Sequence, residues 1–404
     1  MGLIEAGPGL LSETTSLGQV IAASPDQPVH ILFVHGLRTG DRGASNIFRA
    51  NLAARLTDIL AEAEPGKIEL TRRLDVGPRP KLAYMGQPIW PDDAAWAMGP
   101  FVDRYEYARQ DGGHAIIVDE VNWWPLVLPL RYRALLEPEA YLAGADVANL
   151  RLCAAVDKDG APLNDGIHYP YLTKSGLDDL LDVKPVGGGA AWANGLLKRG
   201  LVDWGLSDAA IALGPMKHYL CAAIDQAFSY AADRDKRHKR PGTFVVVAES
   251  LGSFIVFDAY ARGHGSVREV LDDTGYLYFF ANQLALMELG RLNEPGPRPP
   301  SWRTLLGRGK TPAPAMSMHG ALTAWSGQRQ RMTGPDGRAA GKQIIAFSDP
   351  SDALTFRVPD IDGLTVVNVY DRNEVDFLRL AANPGTAHSG HSANRHVLDL
   401  MLKR

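Results

Sequence analysis

The chain has 404 residues, 46% hydrophobic and 22% charged, and a formal net charge of -4. That length exceeds one small core and implies two domains or one large domain carrying an insertion, while the composition is that of an ordinary soluble globular protein. The weak net charge gives no basis for nucleic-acid binding, and the two cysteines, Cys153 and Cys221, define neither a disulfide framework nor a thiolate metal site.

The N-terminal residues Met1 to Glu5 lack the basic and apolar regions of a signal peptide, and Ala6 stands where a myristoylation motif needs Ser or Thr. No apolar run approaches the roughly 18 residues of a membrane-spanning helix. The expectation is a cytoplasmic protein with no transmembrane segment.

Val29 to Val34 form an apolar run that ends in His35-Gly36-Leu37-Arg38-Thr39-Gly40, a buried strand followed by a glycine-containing turn. Ile47, Leu52, Leu56 and Leu60 then recur near helical spacing. This strand-turn-helix order puts backbone N–H groups at the carboxyl edge of a sheet, where an oxyanion donor is needed. Taken alone, His35-Gly36 is equally a plain tight turn. Between 63 and 112, Glu69 to Thr71 and Lys81 to Tyr84 are candidate strand pieces, separated by proline-containing loops; Trp90 and Trp96 are read as packing residues, the alternative being that they line a pocket.

Ala115 to Val118 predict another core strand, leading into Asp119 to Pro125. From 125 to 240 the pattern changes to short helical segments between Gly and Pro turns, the best helices covering 190–201 and 217–232. We read this stretch as a mostly helical cap inserted between two core segments, 1–124 and 241–404, the alternative being that some of it covers the sheet. The mixed charges of Asp233 to Arg240 mark a solvated connection.

Thr243 to Val247 favour strand, Ala248-Glu249-Ser250-Leu251-Gly252 a sharp turn, and Phe254 to Tyr260 a helix. A serine on such a strand-to-helix turn is presented at the carboxyl end of a sheet, near the positive end of the following helix. The small residues Ala248 and Gly252 allow strand and helix backbones to approach. Tyr276 to Asn282, Gln343 to Ser348 and Leu364 to Tyr370 predict three further buried strands, and 294–314 a long surface loop. Asp349 and Asp352 follow the second of these strands, His388 lies in a loop after the third, and a terminal helix contains Val397 to Leu402. Strands alternating with helices predict an α/β fold with a mostly parallel, doubly wound sheet.

Ser250, Asp349 or Asp352, and His388 thus fall in order at carboxyl ends of strands. A serine hydroxyl needs a base, histidine titrates in the right range, and a carboxylate fixes the imidazole tautomer. The competing readings are a helix N-cap for Ser250, a cap for Asp352 and a solvated loop position for His388. His391 and His396 are the other histidines in this region; His396 falls in the terminal helix, and no histidine-carboxylate spacing suggests a metal.

With these residues, His35-Gly36, Ala248 to Gly252, Phe347 to Asp352 and Ala387 to Gly390, the chain resembles the α/β-hydrolase superfamily of serine esterases and lipases. The likeness covers about the first 60 residues and most of the chain after Thr243, and very little of 125–240. It implies an α/β-hydrolase fold with Ser250 as nucleophile, His388 as general base and an aspartate as third member. Asp352 is preferred over Asp349 because Ala353-Leu354 follow it directly. The resemblance further implies an oxyanion hole made by the N–H groups of Leu37 and Leu251. Ala248 departs from the commoner glycine of the elbow.

The expected activity is cleavage of an acyl ester with a hydrophobic portion, without a cofactor or metal. Thioester, amide or lipid substrates fit the same chemistry. The reading from another class is a non-catalytic ligand-binding scaffold.

Overall fold

The computed structural model describes residues 4–6, 11–24, 27–36, 51, 52, 54, 55, 58, 71–76, 83–84, 87–88, 102–108, 116–121, 123, 207–214, 217–235, 242–291, 316–328, 341–373 and 384–402. Its strands are β1 (Ile4–Ala6), β2 (Val29–Val34), β3 (Thr71–Val76), β4 (Ala83–Tyr84), β5 (Gln87–Pro88), β6 (Val102–Ala108), β7 (Ile116–Val121), β8 (Thr243–Glu249), β9 (Tyr276–Phe280), β10 (Gln343–Ser348) and β11 (Thr365–Tyr370). Nine of them form one sheet in the order β1-β11-β10-β9-β8-β2-β7-β6-β3, and β4 and β5 pair separately. From β11 across to β7 all neighbours are parallel. β1, β6 and β3 each pair antiparallel with their neighbours at the two edges. The fold is therefore α/β with a mostly parallel sheet.

Both faces of that sheet are covered, which is why its central strands are continuous apolar runs rather than alternating ones. The α-helices are α1 (Leu17–Ala22), α2 (Ser207–Leu213), α3 (Lys217–Asp235), α4 (Leu251–Ala261), α5 (Gly265–Asp273), α6 (Leu284–Arg291), α7 (Met318–Ser326), α8 (Pro384–Ser389) and α9 (Arg395–Leu402). Leu32, Val34, Val246, Ala248, Leu277, Phe279, Ile344 and Ala346 pack on one face with α3 to α7. Ile31, Phe33, Val245, Val247, Tyr278, Phe280, Ile345 and Phe347 pack on the other with α1 and α9. Successive side chains of each strand thus enter opposite cores.

The chain leaves β2 toward β7 and returns to β8 on the other side of β2. The helical residues after β2 carry Leu52 into the second core, whereas α4 after β8 lies in the first. Connections that diverge to opposite faces open a crevice at the carboxyl ends of the two strands, the usual place for a ligand in such a sheet.

Several expectations need correction. Strand β3 begins at Thr71 instead of ending there. The segment 102–108, where the sequence predicted no strand, is a sheet strand, and in it Arg104 is neutralised across the ladder: its Nε and Nη2 donate to Asp119 of β7 at 2.6 and 2.5 Å, both residues buried. His388 lies at the end of a short helix, not in an open loop; Pro384 opens that helix at the first position, where its fixed φ is favourable and its missing N–H costs nothing. Within 125–240, α2 and α3 are described. Leu220, Ile224, Phe228 and Ala231 of α3 pack in the core that contains α4 and α5. The predicted helix over 190–201, the rest of 125–206, Trp90, Trp96 and the loop 294–314 lie outside the described residues. Among the described residues no helix is long and apolar enough to cross a membrane.

Candidate active site

β8 is buried at every position and ends at Glu249; Ser250 turns the chain with φ 53° and ψ -126°, and α4 starts at Leu251. A positive φ at a non-glycine residue costs of order 1–3 kcal/mol and persists only where surrounding contacts enforce it. Those contacts are present. The Ser250 N–H donates to Phe280 O of β9 at 2.7 Å, and Ser250 O accepts both the Ser253 N–H at 3.1 Å and the Ser253 hydroxyl at 2.6 Å. Gly252 completes the turn, since a Cβ there would stand 2.5 Å from Val34 O and 2.6 Å from His35 O.

Ser250 occupies the N-cap position of α4, yet its side chain makes no capping bond. Its Oγ lies 2.6 Å from His388 Nε2, and His388 Nδ1 lies 2.7 Å from Asp352 Oδ2. An ionised carboxylate only accepts, so Nδ1 carries the proton and Nε2 presents its lone pair to the serine hydroxyl. The three residues therefore form one directed series, Ser250 O–H to His388 Nε2 and His388 Nδ1–H to Asp352. Ser250 and Asp352 are buried, and His388 keeps 14% of its side-chain surface exposed.

Asp352 sits in a turn rather than a helix, and its carboxylate also accepts the Leu354 N–H at 2.9 Å and the Thr355 hydroxyl. Burial alone would raise its pKa, but the hydrogen bond and charge of His388, with Thr355 and Leu354, outweigh it and hold the carboxyl below its ordinary value. Asp349 has a different set of partners: its Oδ1 accepts Ser351 N–H and its Oδ2 accepts Asn373 N–H, each at 2.7 Å. Of the two aspartates after β10, Asp352 is the one bonded to the imidazole.

The turn after β2 lies directly beside the serine. A Cβ on Gly36 would stand 2.4 Å from Ser250 Cβ and 3.1 Å from its Oγ. His35 Nδ1 is 2.7 Å from Gly36 O, and the Trp123 indole N–H donates to His35 O at 2.7 Å while its ring stacks on the imidazole with centroids 5.2 Å apart. Leu37, the next residue and an expected oxyanion donor, lies outside the described residues. Leu251, the other expected oxyanion donor, is the first residue of α4, a position whose N–H has no acceptor within the helix.

Neither of the other candidate histidines is bonded to Ser250 or Asp352. His396 donates from α9 to Asp371 at 2.9 Å and is half exposed. His391 is fully buried against Phe280. Among the described residues no group of His, Cys, Asp and Glu side chains converges as metal ligands would.

No protein-family model, curated protein or solved structure matches the chain.

Trp123, Ser253, Thr355 and Asn373 support the site and escape a reading of the sequence. Trp123 had a usable signal, a tryptophan just past the carboxyl end of the strand next to β2. Ser253 and Thr355 are small polar residues that bond Ser250 and Asp352 three positions away, and the partners of Asn373 come from distant segments.

Proposed function

We propose that the chain is a serine hydrolase of the α/β-hydrolase kind that cleaves an acyl ester through a covalent acyl-enzyme. The observation that supports this best is the continuous series Ser250–His388–Asp352, with distances of 2.6 and 2.7 Å, at the carboxyl edge of a parallel sheet. The crevice between β2 and β8 would receive the ester.

In this reading His388 Nε2 takes the Ser250 proton as Oγ attacks the carbonyl carbon. Asp352 stabilises the imidazolium that forms, and the tetrahedral oxyanion is held by the Leu251 N–H at the start of α4 and by the N–H of Leu37. Collapse expels the alcohol, protonated by His388, and leaves the acyl group on Ser250. His388 then removes a proton from water, which attacks the acyl carbonyl; collapse of the second tetrahedral intermediate releases the acid and restores the serine. No cofactor enters this cycle.

The cap expected from the sequence within 125–240 would offer apolar surface to the acyl or alcohol portion of the substrate. Thioesters and amides are substrates for the same steps, and a carboxylic ester with a hydrophobic portion is the preferred class. Turnover of short p-nitrophenyl esters by the wild-type chain, and its loss in Ser250→Ala with an unchanged circular dichroism spectrum, tests the assignment. Equal turnover by both proteins would refute it.

A further inference from the structure

We propose that Asp349 and Asn373 form a positioning pair that sets the separation of Asp352 and His388, an inference that rests on the hydrolytic reading of the site. The acid and the base come from different connections, one after β10 and one after β11, and their 2.7 Å contact requires those connections to be held in register. Asp349 is buried at the end of β10 and reaches both. On the acid side its backbone carbonyl accepts the Asp352 N–H at 3.0 Å, and its Oδ1 accepts the Ser351 N–H at 2.7 Å, so one residue shapes the turn that aims Asp352.

On the base side the second carboxylate oxygen leaves that turn and accepts the Asn373 N–H at 2.7 Å, just past β11. The Asn373 side chain continues the path: its Nδ2 donates at 2.7 Å to the carbonyl of Ala387, the residue before His388. Its Oδ1 accepts from Asn394 Nδ2 at 3.2 Å, which closes the far side of the same segment. Gly390 permits this approach, because a Cβ there would lie 2.7 Å from Asn373 Cβ. Residues 374–383 separate Asn373 from α8 in the chain, and the side-chain bond spans that separation in a single step.

A carboxylate that only closed its own turn would need the Ser351 bond alone. The bond to Asn373 joins the two connections, and explains why two aspartates stand three positions apart after β10. Asp352 holds the imidazole, and Asp349 holds the segment that carries it. Neither Asp349 nor Asn373 is bonded to Ser250 or to the imidazole, so both act through others.

The test is steady-state hydrolysis of p-nitrophenyl butyrate by the full chain and by Asn373→Ala, Asp349→Ala, Asp349→Asn and Gly390→Ala, with Ser250→Ala as reference. Rates are referred to the folded fraction measured by circular dichroism. A displacement of His388 by about 1 Å predicts a fall in kcat of about 10- to 100-fold for Asn373→Ala, with KM within about twofold. Gly390→Ala, which pushes Asn373 away without removing a polar group, shifts kcat in the same direction. Asp349→Asn retains more kcat than Asp349→Ala, since an amide oxygen still accepts one of the two N–H groups. An inactive Ser250→Ala alongside folded Asn373→Ala and Gly390→Ala proteins with wild-type kcat would overturn this inference alone. An active Ser250→Ala would overturn the hydrolytic reading and the inference with it.

Discussion

Gly36 and Ser250 come from strands far apart in the chain, yet a Cβ on Gly36 would stand 2.4 Å from the Cβ of Ser250 and 2.9 Å from Glu249 O. The neighbours are backbone and a short side chain, so nothing flexible can yield. Gly36→Ala must displace either the serine turn or the turn after β2. We expect kcat on short esters to fall about 100-fold, comparable to loss of an oxyanion donor, with about 1–3 kcal/mol of stability lost to overpacking. Steady-state kinetics and thermal unfolding measure both, and wild-type kcat would contradict the placement of this turn against Ser250.

Asp352→Asn tests the acid. The amide keeps the volume but can donate where a carboxylate only accepts, which favours the wrong imidazole tautomer. A loss of about 10⁴-fold in kcat with KM little changed is expected. Retention of more than a tenth of wild-type kcat would show that Asp352 does not orient His388.

Trp123→Phe removes one donor and keeps a ring beside His35. The carbonyl of His35 loses its 2.7 Å partner in a buried place. That costs about 1–3 kcal/mol of stability. Because the carbonyl belongs to the turn beside Ser250, kcat should fall while KM changes little. A destabilised variant with unaltered kcat would confine Trp123 to packing.

His391 gives the site an acid-sensitive neighbour. Its ring is fully buried, stacks on Phe280 with centroids 6.2 Å apart, and neither nitrogen has a hydrogen-bond partner among the described residues. Burial first, and the adjacent His388 second, lower its pKa from 6.5 to about 4. The unfolded chain therefore binds a proton that the folded one refuses between those values. Stability is complete above pH 6.5 and declines toward pH 4, by on the order of 3 kcal/mol. His264, half-buried with its pKa lowered mainly by burial, adds to the same window with the same sign. Asp352, held below its ordinary value, costs stability only at lower pH. Thermal midpoints followed from pH 7 to 4 should fall, and His391→Phe should flatten that fall; an unchanged slope in the variant would contradict the assignment.

The central strands were legible because a parallel strand covered on both faces is buried at every position and mostly apolar, as β2, β8, β9 and β10 are. The serine turn was legible for the same reason, being bounded by a buried strand and a buried helix. β6 was not, since its charged residues resemble a loop until Arg104 meets Asp119 across the ladder. The alternation of Tyr105 and Tyr107 with charged neighbours was the available clue. β1 is three residues long and depends on backbone pairing with β11, which leaves almost no pattern to read. Asp349 and Asp352 follow the same strand, and only the three-dimensional turn decides which carboxylate reaches His388. Trp123 acts through one bond to a backbone carbonyl, and Asn373 through bonds to Asp349, Ala387 and Asn394 from three separate segments, contacts that residue type does not announce.

Reaction of the folded chain with a fluorophosphonate, followed by peptide mapping, tests the central claim most directly. The proposed mechanism, in which His388 takes the Ser250 proton as Oγ attacks phosphorus and fluoride leaves, predicts stoichiometric phosphonylation at Ser250 and no label on Ser250→Ala or His388→Ala. A folded wild-type chain that leaves Ser250 unlabelled, while an authentic serine hydrolase reacts in the same tube, would contradict it.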